Sequence, residues 1–97
     1  MVWILVAYDI TTDDKAGRKR LRRVAKVCER YGRRVQKSLF ECQADELTLE
    51  TFRIQLIREI NEKEDSLRIY LFGSNIESKL ETYGVNETFR FDDPLIV

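Results

Sequence analysis

The fold is decided by residues 1–9, MVWILVAYD, in which seven apolar or aromatic residues from Val2 to Tyr8 run into a carboxylate. A short apolar run of this kind predicts a strand that is buried on both faces. Asp9 would then lie where the strand ends, at the mouth of the sheet, a place where functional side chains are common. Because the following segment is densely basic, we expect a metal-assisted site that faces a phosphate backbone.

The composition limits the class of protein. The 97 residues are 43% hydrophobic and 35% charged, which indicates one small globular domain with a modest core. No apolar run approaches the roughly 20 residues of a membrane span, and the first residues lack the basic-then-apolar pattern of a signal segment, so we expect neither. Cys28 and Cys42 lack a pairing motif and are predicted to be buried, reduced thiols of a cytoplasmic protein. Because histidine is absent, histidine-based zinc sites and acid–base catalysis are excluded.

The formal net charge of zero conceals an asymmetry between two parts of the chain. Segment 15–37 holds eleven lysines and arginines and one acid, whereas segment 38–97 holds six basic and thirteen acidic residues. A basic segment of this density is the electrostatic footprint of a nucleic-acid binder. The simpler interpretation is a solvated helix face balanced by the acids of the other half, and it explains the local excess of ten positive charges less well.

Apolar spacing along the rest of the chain predicts alternating strands and helices. The predicted elements are a strand at 2–8, a helix at about 14–31, strand structure at 33–43, a helix at about 46–62, a strand at 66–72, a short helical turn within 76–84 and a last strand at 88–91. Two interpretations of 33–43 remain open: two short strands joined by a tight turn, or one bent strand with a bulge. Gly32 would end the first helix, and Asp45 or Thr48 would cap the second.

Each predicted helix carries one apolar stripe at the spacing of three and four residues that faces a core. In the first helix the stripe comprises Leu21, Val24, Ala25, Cys28 and Tyr31. In the second helix it comprises Leu49, Phe52, Leu56, Ile57 and Ile60. Both helices should therefore pack on a sheet along one side.

The order β-α-β-β-α-β is the α+β ferredoxin-like pattern, an antiparallel sheet with two helices on one face, here followed by a C-terminal strand. We expect residues 1–97 to form a single domain of this type. The other face of the sheet must be covered, and residues 95–97 form an apolar end. A two-fold homodimer in which residues 86–97 pack on the partner subunit meets both needs.

Several motifs, taken in order, resemble those of the CRISPR-associated protein 2 family, the smaller partner of the integrase in CRISPR adaptation. They are Tyr8-Asp9-Ile10 after the first strand, Arg34-Val35-Gln36 with Ser38-Leu39-Phe40-Glu41 after a glycine, and Asp93-Pro94 near the end. The basic first helix and the S-L-R-I-Y strand at 66–70 belong to the same pattern. The resemblance covers the whole chain, and its specificity lies in the combination of motifs.

The resemblance implies a ferredoxin-like homodimer in which the aspartates matching Asp9 come from both subunits and hold Mg²⁺ (or Mn²⁺) at the dimer seam. It implies metal-dependent endonuclease activity on RNA or double-stranded DNA in some members. It further implies that the dimer bridges dimers of the integrase, CRISPR-associated protein 1, and cradles spacer DNA, where nuclease activity need not be required. We therefore expect a protein of antiviral defence that binds nucleic acid and no membrane.

One carboxylate holds Mg²⁺ poorly, because the ion usually takes one or two carboxylates together with phosphate and water oxygens. Two copies of Asp9 across a two-fold axis would repel each other without a cation and would suit one. Asp9 is therefore predicted as the metal ligand and, with Tyr8 and Ser38, as a catalytic residue. Tyr8 should point to the face opposite Asp9. Core packing for Tyr8 and a turn hydroxyl for Ser38 are the alternative interpretations.

The predicted nucleic-acid-binding residues share a positive charge and lie in or just after the first helix. They are Arg18, Lys19, Arg20, Arg22, Arg23, Arg33, Arg34 and Lys37. No base-reading element is recognisable, so binding should not depend on nucleotide sequence. Two further functions remain open: a non-enzymatic dimeric scaffold that bridges integrase dimers and spacer DNA, and a toxin-type ribonuclease of the same fold.

Overall fold

The structure, a computed structural model, describes residues 1–74 and 77–85. The predicted last strand at 88–91 and the tail 86–97 lie outside the described residues. The packing of the tail on a partner subunit therefore stays a prediction. None of the helices formed by the described residues has the length and hydropathy of a membrane span.

The described residues follow the predicted order of elements. These are β1 (Val2–Asp9), α1 (Lys15–Glu29), β2 (Gly32–Gln36), β3 (Leu39–Ala44), α2 (Glu46–Glu59), β4 (Ser66–Phe72) and a short 3-10 helix (Glu77–Lys79). The strands form one sheet in the order β2-β3-β1-β4, and every neighbouring pair is antiparallel. The predicted α+β ferredoxin-like fold is confirmed.

The side chains of β1 alternate between a covered face and an open face of the sheet. Ile4, Val6 and Tyr8 lie beneath the helices and are buried. Leu5 and Ala7 point the other way and are half-buried. The prediction that β1 is buried on both faces is therefore wrong for a single subunit, because both helices pack on the same side of the sheet.

The hydrophobic core lies between the covered face and the two helices. Its largest fully buried side chains are Phe40, Phe52, Ile4, Leu56, Val6, Val24, Cys28 and Cys42. The predicted stripe of α1 faces this core, with Leu21 and Tyr31 at its margin. In α2 the prediction is wrong for Ile57, which is 45% exposed. Ile57 follows the fully buried Leu56, and one residue turns a helix by about 100°, which carries the side chain away from the core.

Aspartates begin both helices by capping free backbone N–H groups. Asp14 accepts a hydrogen bond from the Gly17 N–H over 2.7 Å, and Asp45 accepts one from the Thr48 N–H over 2.7 Å. Asp45 is therefore the cap of α2, and Thr48 is the residue that it binds. Gly17 is buried at the start of α1, and glycine is needed there because a side chain would overlap the Thr11 carbonyl oxygen.

Gly32 begins β2 and does not end α1, so the predicted role of this glycine is wrong. Helix α1 ends at Glu29, and its C-cap Arg30 keeps a right-handed backbone with φ of −69°. A side chain at Gly32 would overlap the Glu41 carbonyl of β3. Glycine is needed here for the close approach of two strands and not for a left-handed turn.

Residues 33–43 form two strands joined by a tight turn at Lys37 and Ser38, the first of the two interpretations. The pairing register shifts between Arg34 and Gln36, so a bulge is present as well. The bulge distorts β2 immediately before the turn, which is where the interrupted alternation of the sequence occurs.

Candidate functional site

Asp9 lies at the exposed end of β1, on the open face of the sheet. It pairs with Ser66 of β4, and its side chain alternates with that of Tyr8, which is buried beneath the helices. The prediction that Tyr8 and Asp9 point to opposite faces is confirmed. The Asp9 carboxylate is thus available to solvent or to a molecule that covers the open face.

The residues after Asp9 anchor the end of β1. Ile10 is buried in the core, and the Thr11 N–H donates to Asp65 Oδ1 over 3.1 Å. The Thr11 hydroxyl donates to the Glu64 carbonyl over 2.6 Å. Because these contacts tie the strand end to the loop before β4, they hold the backbone that carries Asp9.

Asp65 is the centre of this anchor and also pairs with Arg20 of α1. Arg20 Nε lies 2.8 Å from Asp65 Oδ2, and Arg20 Nη2 lies 3.1 Å from Glu64 Oε2. Burial alone would raise the pKa of Asp65, but hydrogen bonds from Arg20 and from the backbone of Asn61 and Thr11 outweigh it and lower that pKa. The carboxylate therefore stays ionised and connects α1 with both loops.

A single described chain does not complete a metal site. Among residues 1–74 and 77–85, no group of three or more acidic or cysteine side chains could hold a metal ion. Asp9 alone offers two carboxylate oxygens, which suit Mg²⁺ chemically but leave most of its octahedral positions unfilled. The metal assignment of Asp9 therefore stays a prediction.

The open face next to Asp9 is apolar at its centre. Cross-strand pairing places Trp3 beside Phe72, Leu5 beside Tyr70 and Ala7 beside Leu39 on this face. None of these six side chains is fully buried, and Tyr70 is 42% exposed. Polar partners of the same β1 residues, Gln43, Glu41 and Arg68, border this apolar patch. An exposed apolar patch with a polar rim is typical of a surface that contacts another molecule.

Tyr8 and Ser38 meet on the covered side of the sheet, at the turn between β2 and β3. The Tyr8 N–H donates to the Ser38 carbonyl over 3.1 Å, and the Tyr8 hydroxyl donates to the Lys37 carbonyl over 3.5 Å. Burial raises the pKa of the Tyr8 hydroxyl, and the positive charge of Arg34 opposes that effect. The hydroxyl is therefore neutral and able to donate a hydrogen bond.

This turn and α1 enclose a groove of about 490 Å³, which we call the turn groove. Its lining residues are Tyr8, Leu21, Arg22, Ala25, Lys26, Glu29, Arg34, Lys37 and Ser38. The structure thus brings the predicted residues Tyr8 and Ser38 together with three of the predicted basic residues. It separates all of them from Asp9 by the thickness of the sheet.

The other basic residues have varied surroundings. The Arg18 guanidinium donates to the Thr12 carbonyl over 3.4 Å, and Lys19 is exposed. Arg20 is held by two carboxylates, so its first role is structural. Arg33 pairs with Glu41 in the strand register and so lies on the open face, away from the turn groove. The nucleic-acid-binding assignments, and those of Tyr8 and Ser38, stay predictions.

Sequence reasoning missed two kinds of residue. Asp65 has no distinguishing pattern among the acids at 62–65, and only the fold shows that it holds Arg20. Lys26, Arg30 and Arg58 were outside the predicted basic set, yet all three line a second groove between α1 and α2. Arg58 belongs to the acidic part of the chain, so only tertiary packing places it beside α1.

The comparison with known families matches this architecture. Residues 1–79 match the family described as CRISPR associated protein Cas2. The chain belongs to the Cas2 family. The matched span contains β1 with Asp9, both helices and the rest of the four-stranded sheet.

Individual Cas2 proteins match over almost their full length. The chain is 47% identical over 96 residues to the CRISPR-associated endoribonuclease Cas2 1 of Moorella thermoacetica, covering 99% of this chain and 100% of that protein. It is 45% identical over 93 residues to the CRISPR-associated endonuclease Cas2 of Halalkalibacterium halodurans, covering 96% and 97%. The crystal structure of Streptococcus pyogenes Cas2 at pH 6.5 superimposes with a TM-score of 0.74 at 48% identity, covering 84% of this chain and 99% of that chain.

Proposed function

We propose that this Cas2-family chain acts in CRISPR adaptation as a two-fold homodimer that cleaves phosphodiester bonds of RNA or double-stranded DNA with Mg²⁺. The observation that carries the proposal is the position of Asp9, an exposed carboxylate beside an apolar sheet face and without further ligands in the described chain. Two relatives named as an endoribonuclease and an endonuclease support the reaction class.

A second copy of the chain is the partner that best fits the open face. Half-buried apolar side chains such as Leu5 and Leu39 lose contact with water when a like surface covers them. In a two-fold arrangement, each residue on the face meets its own copy or a symmetry-related neighbour. A face that includes the end of β1 would then bring the two copies of Asp9 toward one seam.

The chemistry of this seam fits Mg²⁺. Two carboxylates, a substrate phosphate and water molecules make the oxygen set that this ion takes in nucleases and polymerases. A bound Mg²⁺ would supply Lewis-acid stabilisation of the negative charge that develops on the scissile phosphate. Each Asp9 carboxylate would hold the ion, and the contacts of Thr11 with Asp65 and Glu64 would keep the strand end in position for this task.

Asp9 lies on the open face of the sheet, whereas Tyr8 and Ser38, the other predicted catalytic residues, lie on the covered side. We therefore assign a different role to each face. Tyr8 and Ser38 line the turn groove with cationic side chains, and the Ser38 hydroxyl can donate to a phosphate oxygen beside Tyr8, whose own hydroxyl donates to the Lys37 carbonyl. In this arrangement they bind the nucleic-acid backbone, and Asp9 acts at the bond that is cleaved. Water is the nucleophile, because the chain has no histidine and Ser38 is not beside Asp9.

The test compares Asp9→Asn with Asp13→Asn, which alters another exposed aspartate four residues further on. Cleavage of labelled RNA and duplex DNA is measured with Mg²⁺ and with EDTA. We expect cleavage by wild type and Asp13→Asn in Mg²⁺ only, and none by Asp9→Asn. Equal cleavage by all three proteins in EDTA would show a contaminating nuclease and reject the proposal.

A second function, scaffolding, is favoured by the placement of the basic grooves and Asp9 on opposite sides of the sheet. A dimer could hold spacer DNA and bridge dimers of the integrase, CRISPR-associated protein 1, without using the carboxylates. Spacer integration by the reconstituted integrase with Asp9→Asn separates the two functions. Full integration would assign adaptation to the scaffold, and loss of integration would tie it to the carboxylate.

A further inference from the structure

The groove between α1 and α2, here called the interhelix groove, has a volume of about 490 Å³. It is lined by Arg23, Lys26, Val27, Arg30, Gln55, Arg58 and Glu59. Four of these seven side chains are cationic and one is anionic. The groove therefore presents an excess of positive charge to solvent, and two separate helices contribute to it.

Most of this charge is not neutralised by the protein. Within residues 1–74 and 77–85, no carboxylate lies at ion-pair distance from Lys26, Arg30 or Arg58. Arg23 and Glu59 approach only to 4.0 Å, the outer limit for an ion pair, and the Arg23 side chain is 57% exposed. Clustered like charges without partners repel one another, so the cluster favours an anion that enters the groove.

Lys26 joins the interhelix groove to the turn groove, because it lines both. The two grooves thus flank the same part of α1 and form one band, which we call the basic band. Along α1 the band contains Arg22, Lys26 and Arg30, spaced four residues apart, or roughly 6 Å along the axis. A row of charges at regular spacing suits a linear polyanion, which meets them in succession, better than a single small anion.

The basic band and Asp9 belong to opposite sides of the sheet. Tyr8 lines the band from the covered side, and Asp9 follows it in β1 with the opposite orientation. A polymer that lies along the band therefore does not reach the carboxylate of the same subunit.

We propose that the basic band is a nucleic-acid-holding surface that is separate from the cleavage site and extends onto α2 through Arg58. Its ligand is the phosphodiester backbone, bound without regard to base sequence, because the lining offers charges and no exposed aromatic platform for bases. The identity of the ligand rests on the proposed nucleic-acid function, whereas the existence of the surface rests on the groove.

Arg58→Gln tests the proposal, with Lys63→Gln as the matched control. Both changes remove one positive charge, but Lys63 is exposed in the loop after α2 and lines neither groove. Binding of a fluorescent duplex is measured by anisotropy across a salt series in EDTA, so that cleavage plays no part. Lys26→Gln is a second variant in the band, and thermal unfolding verifies that each protein is folded.

We expect Arg58→Gln and Lys26→Gln each to lower the slope of log affinity against log salt by about 0.9, with affinity about tenfold weaker at 0.1 M salt. Lys63→Gln should keep the wild-type slope. Arg58→Gln and Lys26→Gln proteins that bind like Lys63→Gln would overturn the proposal. The proposal would also be overturned if polyglutamate displaced the fluorescent duplex as effectively as unlabelled nucleic acid does. That result would assign the basic band to an acidic protein.

The result also separates this inference from the proposed function. A wild-type protein that binds no nucleic acid rejects both. A wild-type protein that binds with its salt slope unchanged in Arg58→Gln and Lys26→Gln rejects only the basic band, and the Asp9 experiment then stands on its own.

Discussion

Arg20 and Asp65 form a two-pronged contact in which Arg20 Nε and Nη2 lie 2.8 Å and 3.3 Å from the two Asp65 carboxylate oxygens. The same carboxylate accepts the N–H groups of Thr11 and Asn61. One buried side chain therefore connects α1, the loop after β1 and the loop before β4. The contact therefore helps to hold the end of β1, where Asp9 lies, because Thr11 follows Asp9 by two residues and binds Asp65.

Arg20→Gln should destabilise the fold strongly. The Asp65 side chain is 0% exposed and that of Arg20 is 17% exposed, so the substitution leaves a buried charge without its partner. We expect a loss in the free energy of unfolding that clearly exceeds the loss from breaking a surface ion pair. Arg53→Gln is the control, because its pair with Glu50 is on the surface and should contribute less than about 1 kcal/mol. Equal losses in urea denaturation would contradict the structural role of Arg20.

The contact between Arg20 and Asp65 should also make the free energy of unfolding depend on pH in the acidic range. The folded protein holds the pKa of Asp65 below its usual value of 3.8. The unfolded state therefore binds the proton more readily than the folded state. The stabilisation that the ionised Asp65 contributes is complete above the unfolded pKa of 3.8 and is lost as the pH falls through the lower pKa of the folded state. The difference in unfolding free energy between wild type and Asp65→Asn should be constant near neutral pH and shrink in acid. A difference that grows in acid would reverse the assigned sign.

Gly17→Ala should lower stability, and Gly73→Ala should not. A methyl group at Gly17 would overlap the Thr11 carbonyl, which is backbone and cannot turn aside, whereas nothing lies within 4 Å of a methyl group at Gly73. We expect a loss of about 1–3 kcal/mol at Gly17, the usual cost of overpacking. Urea denaturation of both variants gives the comparison. A stable Gly17→Ala would mean that the start of α1 can move away from the loop after β1.

Leu5→Arg should disrupt the proposed homodimer. Leu5 lies at the centre of the open face, between Glu41 and Tyr70, where a partner subunit would bury it. Leu47→Arg, on α2, is the control for an added charge, because Leu47 is 86% exposed in the single chain. In sedimentation equilibrium we expect wild type and Leu47→Arg to be dimers and Leu5→Arg to be a monomer. A dimeric Leu5→Arg would place the interface on another surface.

Local patterns were sufficient to predict most of the fold. The apolar run of β1, the stripes of the two helices and the cap of α2 at Asp45 depend on residues close together in the chain. Ile57 and Gly32 were assigned wrongly because their roles depend on packing: Ile57 lies just past the core stripe, and Gly32 lies against the Glu41 carbonyl.

The site was predictable only in part. Asp9 stood out as the first acid after an apolar strand, and strand alternation predicted that Tyr8 would face away from it. The basic residues could not be sorted by sequence, since Arg20 and Arg22 are near neighbours that differ completely in their contacts. Arg58 joins the basic band only because α2 packs beside α1.

The sheet between Asp9 and the basic band has an evolutionary consequence. A partition of this kind lets the two surfaces change independently, because a substitution on one side leaves the other side chemically intact. A lineage could lose the proposed cleavage activity by changing Asp9 and still bind nucleic acid through the basic band. Another lineage could change its nucleic-acid binding and keep Asp9. The architecture thus allows the proposed homodimer to diverge into nucleases and into nucleic-acid-binding proteins without catalytic activity.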